Sequence, residues 1–383
     1  MLGPIVALAV NKFGFKWSSV FGAVMCSSAM IGCLLVKEFL AFQLFYGIAT
    51  GIGSSFLYVP ANTCTGFYFQ KRKSLAFGIA SAGANIGLVL AMVYGAINNS
   101  FNMQGIYLFN AGLCFSLIPL FILFYPNKFE VRKRSVCINQ TKEANTEKFE
   151  GMYGLKHQLM IILKDDVWNH FLGSKRGLSH QWMILLKADV WSHLLANFFQ
   201  GAGHGTLLFF MPQMASDILD VSKYMKGFLL SLLGIVGIPA RILVGWLADQ
   251  EWVNPFVLHF LGMIGGAVCN LIYPLANSYW LMAVITGVQS FILALYSTPL
   301  SACQLKLVNI QQFNLTSGLA FCFQGLGTII APPVVRLVYE DLMEKDIIKT
   351  IRINAAIYAL GSMFALITFF VQKFRRDALY QVK

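Results

Sequence analysis

Uncharged stretches of roughly 20 residues or more recur along the whole chain, each long enough to cross a hydrocarbon core about 30 Å thick at about 1.5 Å per helical residue. They read as transmembrane helices. Of the 383 residues, 57% are hydrophobic and only 12% charged, against roughly a quarter charged in ordinary globular proteins, which excludes a soluble domain. The 29 basic and 17 acidic residues give a formal charge of +12, a balance that elsewhere suggests nucleic acid. Here the basic residues fall in short runs between apolar spans, where the positive-inside rule puts them. Membrane topology therefore accounts for the basicity without a nucleic-acid partner.

Dividing the apolar runs at charged residues and at Pro, Gly and Asn breaks gives spans near 1–10, 17–36, 39–64, 74–97, 105–126, 192–216, 226–248, 253–277, 279–303, 315–339 and 350–372. That is about eleven spans, the first too short to cross. If loops alternate sides, one side collects 21 Lys and Arg, eleven of them in the 127–191 connector, and the other side only five. The basic side, with the connector and the C-terminus, is expected to be cytoplasmic. A chain that then starts outside on a half-span is expected to lack a first helix. With that helix restored, six spans precede the connector and six follow. The expected organisation is an N-terminal helical bundle over 1–126, a cytoplasmic connector over 127–191, a C-terminal six-helix bundle over 192–372 and a cytoplasmic tail over 373–383.

The connector contains a duplication. His157–Leu172 recurs 23 residues later as His180–Leu195 with 11 of 16 positions identical, and the second copy leads into the span at 192–216. The first copy is expected to lie on the membrane surface through Met160, Ile161, Leu163 and Trp168. The stretch 128–150 is polar and expected to be disordered. Seven of the eight cysteines lie in apolar spans with neither C-x-x-C spacing nor paired His ligands, so they read as small core residues rather than a metal or redox site. No cofactor is implied.

Two loops carry related motifs. Asn11-Lys12-Phe13-Gly14-Phe15-Lys16 resembles the tail of G-x-x-x-D-R-x-G-x-R, the loop signature of major facilitator transporters, with Asn in place of Asp. Gly245-Trp246-Leu247-Ala248-Asp249 resembles its second-half copy. A sharper match runs from Tyr68 and Phe69 through Lys71, Arg72 and Lys73 to Gly78 and Gly83, and it resembles the fifth-span signature of the monocarboxylate transporter family. Its basic residues would sit near anionic headgroups, and Gly78, Ala80, Ala82, Gly83 and Gly87 offer small faces for close helix approach. The resemblance implies an all-α polytopic membrane protein with the major facilitator fold, two six-helix bundles moving a small organic anion by alternating access. It further implies a multi-pass protein of the plasma membrane and a single-span accessory glycoprotein as partner.

Arg241 is the one residue of fixed charge placed well inside a span. A charge at such depth costs about 2.5–3.5 kcal/mol on insertion scales, so it faces protein or a water-filled cavity unless it snorkels to the surface. No Asp or Glu lies within the expected spans, and an anionic substrate would supply the missing counter-ion. The resemblance implies that Arg241 binds the substrate carboxylate by paired hydrogen bonds. Asn62, Asn85 and Gln324 are candidate cavity residues, with helix-to-helix hydrogen bonding as the alternative for each. Gly201, Gly203 and Gly205 and the Pro332-Pro333 pair are expected to loosen or kink two helices.

Proton-coupled members of the family carry an Asp one turn before the Arg. Here that position is Gly237, and the first-span Lys of the family has no counterpart. Proton coupling is therefore in doubt, with His204 the candidate relay. Two other functions stay open: a truncated or degenerate member that acts as a membrane partner without transporting, and a carrier of an uncharged or cationic solute.

Overall fold

The computed structural model describes residues 2–36, 38–69, 71–122, 187–219, 222–308, 310–341 and 347–381. Among these every regular element is helical. The first half comprises α1 (Gly3–Leu35), α2 (Phe39–Tyr68) and α3 (Lys73–Ile122). The second comprises α4 (Ala188–Leu219), α5 (Lys223–Ala248), α6 (Pro255–Ile272), α7 (Tyr279–Ser297), α8 (Leu300–Leu307), α9 (Ile310–Asp341) and α10 (Ile347–Gln381).

Helix starts follow local chemistry. Ser222, Asn254 and Ser278 cap α5, α6 and α7 by accepting from the backbone N–H of Met225, Phe256 and Leu281 at 3.5, 3.1 and 3.3 Å. Pro255 follows its cap at the first helical position, where it loses no internal hydrogen bond. Two backbone breaks divide α1 and α3. Gly14 adopts φ 83° within α1, a region that a β-carbon disfavours, and Asn102 adopts φ 56° within α3. At Asn102 the chain turns back on itself. Tyr94 Oη donates to Asn110 Oδ1 at 2.7 Å, although 16 residues of straight helix would separate them by about 24 Å.

Nine helices among the described residues are long and apolar enough to cross a membrane, so the expected eleven spans are not confirmed. The expected spans 1–10 and 17–36 run together as α1, interrupted only at Gly14. The expected span at 192–216 lies in the 32-residue α4, whose polar residues leave it outside those nine. Outward faces are apolar, as lipid contact requires: Trp252 and Trp280, flanking the two ends of α6, are 79% and 74% exposed. The first copy of the duplication and the stretch 128–150 lie outside the described residues. Of the second copy the structure describes 187–195, from which α4 starts.

Glycines weld the helices instead of loosening them. A β-carbon on Gly201 would overlap the backbone carbonyl of Gln324, one on Gly205 would lie 2.9 Å from the Thr328 methyl, and one on Gly203 would lie 2.7 Å from the Tyr358 ring. The expected loosening of α4 at these three glycines is thus corrected, because α4 is continuous and uses them for close approach to α9 and α10. Pro332 and Pro333 likewise stand inside an uninterrupted α9.

The seam between α3 and α5 joins the two halves. Gly78 and Gly245 face each other: a β-carbon on Gly78 would lie 2.5 Å from the Arg241 carbonyl oxygen, and one on Gly245 2.7 Å from that of Ser74. Gly83 and Gly87, which were expected to serve the same purpose, have nothing within 4 Å and point away from the seam. Helical phase explains the difference, since Gly83 lies about 140° around the helix from Gly78 at about 100° per residue.

Candidate functional site

Arg241 projects from α5 across the seam, beside Pro239. The tight Gly78 contact brings α3 close enough for Arg241 Nη1 to donate to the Ser81 carbonyl at 3.1 Å, while Arg241 Nε is buried without a partner. The residue is 8% exposed. It borders a cavity of about 140 Å³ between the halves. From the first half come Tyr58 and Asn62 on α2 and Phe77, Ser81 and Ala84 on α3; from the second, α4 supplies Gln200 and His204, α7 supplies Tyr296, and α9 supplies Phe321 and Gln324.

The wall contains no Asp or Glu, so no side chain around the cavity neutralises the guanidinium. Ordinary buried charges are paired or hydrogen-bonded because an isolated one is costly. Here the hydrogen bond to the Ser81 carbonyl leaves guanidinium donors for a carboxylate. Aromatic packing closes the wall where α2 meets α9, with Tyr58 and Phe321 edge to face at 4.9 Å between centroids. Behind it Tyr296 Oη and Tyr358 Oη lie 3.0 Å apart, which fixes the Tyr296 ring.

The structure thus brings Asn62, His204, Arg241 and Gln324 around one cavity. Asn62 Nδ2 donates to the Tyr58 carbonyl at 3.0 Å, one turn back on α2. Asn85 is not part of the wall. Its amide occupies the space that a side chain on Gly237 would fill, and Ser290 Oγ would lie 2.9 Å from a β-carbon there. An Asn from α3 therefore stands where the family's Asp would project from α5. Gln200 had no individual signal beyond lying one turn before His204. Tyr58, Tyr296 and Ser301 had none, because a lone polar residue in an apolar span reads the same on either helix face.

The two loop motifs form ties between the halves. Asp249 follows α5 and accepts from the backbone N–H groups of Ser74 and Leu75 at 2.8 and 2.9 Å, so both carboxylate oxygens cap the start of α3. The positive end of the helix dipole favours this placement. In the first half, Asn11 Oδ1 accepts from Asn314 Nδ2 at 2.9 Å. Beneath it, β-carbons on Gly3 or Gly318 would overlap the facing carbonyl, so α1 and α9 touch backbone to backbone. Lys71 and Arg72 are exposed beside the first tie, and Tyr68 ends α2 just before Phe69. Each half thus contributes one residue of its motif to a tie with the other.

Among the described residues no three His, Cys, Asp or Glu side chains stand together in a way that could hold a metal, and the seven described cysteines are free thiols.

Comparison with known proteins agrees with this architecture. A family model described as Major Facilitator Superfamily matches residues 1–332. Monocarboxylate transporter 1 of Mus musculus is 26% identical over 343 residues, covering 87% of this chain and 67% of that protein. Monocarboxylate transporter 9 of Gallus gallus is 23% identical over 408 residues, covering 90% and 78%. Among solved structures, the major facilitator transporter FucP in the outward conformation superposes with a TM-score of 0.68 at 13% identity, covering 96% of this chain and 86% of that one. The human organic anion transporter MFSD10 superposes with a TM-score of 0.65 at 12% identity, covering 95% and 80%.

Proposed function

The chain belongs to the major facilitator superfamily, and from that membership we propose that it carries a small organic anion, a monocarboxylate, across the plasma membrane by alternating access. It is an integral multi-pass membrane transporter rather than an enzyme. One observation supports the anion in particular: a buried guanidinium borders the cavity between the halves, and no carboxylate lines that cavity. The curated relatives named as monocarboxylate transporters point the same way.

Arg241 binds the carboxylate through the donors that its bond to Ser81 leaves open, and Asn62, Gln200, His204 and Gln324 hold the remainder of the substrate. Because residues of both halves touch it, substrate links them, and rocking of one bundle against the other exposes it to each side in turn. The Asp249 and Asn11 ties close the basic side and part when the cavity opens toward it.

The test is uptake of labelled short-chain carboxylates by vesicles containing the full chain, at pH 6 and pH 8. Saturable uptake of a carboxylate, inhibited by other carboxylates and not by the matching amides, is the expected result. Equal inhibition by acids and amides removes the anion from the proposal.

A further inference from the structure

Resting on the reading of the Arg241 cavity as the transport site, we propose that its substrate is a small carboxylate bearing several further hydrogen-bonding groups, such as hydroxyls or amides, and that Gln200 and Gln324 select it over an apolar acid of equal size.

Ligand cavities are ordinarily lined by apolar side chains with a few placed polar groups. This one is the reverse: eleven of its sixteen lining residues carry polar side chains. Yet it contains only one fixed charge, Arg241, and neither Asp, Glu nor Lys. One guanidinium accommodates one carboxylate. The remainder of the ligand therefore faces uncharged donors and acceptors. An alkyl chain placed there would strip water from amides and hydroxyls and return no hydrogen bonds, a loss of about 1–3 kcal/mol for each group left unpaired.

Several polar groups in the wall already lack partners. Gln200 Oε1, His204 Nδ1 and Arg241 Nε are buried with no hydrogen bond, and Gln200 is 1% exposed. The fold takes specific steps to bring two amides together here. Gly201 lets α4 approach α9 until the backbones touch, and Thr328 Oγ1 fixes that approach by donating to the Gly201 carbonyl at 3.1 Å. Gln200 and Gln324 consequently border the same small space. Its volume of about 140 Å³ is close to that of cavities that hold a molecule of benzene size, which limits the ligand to roughly six or seven heavy atoms.

Three solutes of that size separate the contributions: glycerate, with a carboxylate and two hydroxyls; butyrate, with the carboxylate alone; and glycerol, with hydroxyls alone. Binding is measured directly on the purified full chain by calorimetry, with melting shifts as a second readout. Glycerate is expected to bind at least about tenfold tighter than either of the others, because sites built around hydrogen bonds reject analogues that lack them. Gln200→Leu should reduce the preference for glycerate over butyrate to within about threefold, and Gln324→Leu provides the same test if the first variant does not fold. Equal binding of glycerate and butyrate overturns this inference and leaves the anion carrier intact. Equal binding of glycerate and glycerol, both above butyrate, keeps the polar selection and overturns the anion carrier. Binding of none of the three overturns both.

Discussion

At position 237 an absent side chain sets the chemistry around Arg241. An Asp there would project one turn before the guanidinium and offer it an internal counter-ion; with Gly, the Asn85 amide occupies the space and the cation is left for an external partner. Gly237→Asp is therefore expected to destabilise the protein by about 1–3 kcal/mol through overpacking against Asn85, measured as loss of melting temperature in detergent. Adding Asn85→Ala should recover at least half of that loss. If the single variant melts like the parent, the amide is not wedged as described. Arg241 itself was legible in the sequence because a fixed charge in an apolar span is costly wherever it points. Asn62, His204 and Gln324 were legible for a weaker version of the same reason, and the structure sets all three on the cavity. Asn85 shows the limit of that argument: a polar residue inside a span marks burial of some kind, and only helical phase separates a cavity wall from a packing seam.

Between elements, the glycines of the basic signature divide into two kinds. Gly78→Ala should lower the melting temperature, because its methyl group meets the Arg241 backbone carbonyl across the α3–α5 seam, whereas Gly83→Ala should melt at or slightly above the parent. The gain in the second case comes from helix propensity and a less mobile unfolded chain, about 0.4–1 kcal/mol. Similar losses in both variants would show that the seam is not where the signature acts. Asp249→Ala removes a charged cap from the start of α3 and is expected to cost about 0.5–2 kcal/mol in the same assay, with Asp249→Asn losing less because an amide oxygen still accepts. The apolar spans themselves could be read by length and hydropathy. One feature could not: the span at 192–216 was read, but its glycines looked like flexible points because their packing partners lie more than 120 residues away.

At the scale of the whole molecule, two helical halves meet along glycine seams, are tied by one motif residue from each, and enclose a polar cavity with a single fixed charge. The connector and C-terminus are expected on the cytoplasmic side, because 21 of 26 loop and tail Lys and Arg lie with them. Epitope tags inserted at Asn139 and after Lys383 should be reached by antibody only in permeabilised cells, and staining of intact cells at either position would overturn the orientation. The central claim is that the guanidinium at the cavity is there for an anion. It is tested most directly by carboxylate uptake into vesicles containing the parent protein or Arg241→Gln at matched incorporation and comparable melting temperature. The substitution removes the charged partner without placing a new charge in the membrane, so uptake should fall at least about tenfold, corresponding to loss of about 1.4 kcal/mol or more of charge-assisted binding. Undiminished uptake by Arg241→Gln would contradict the account.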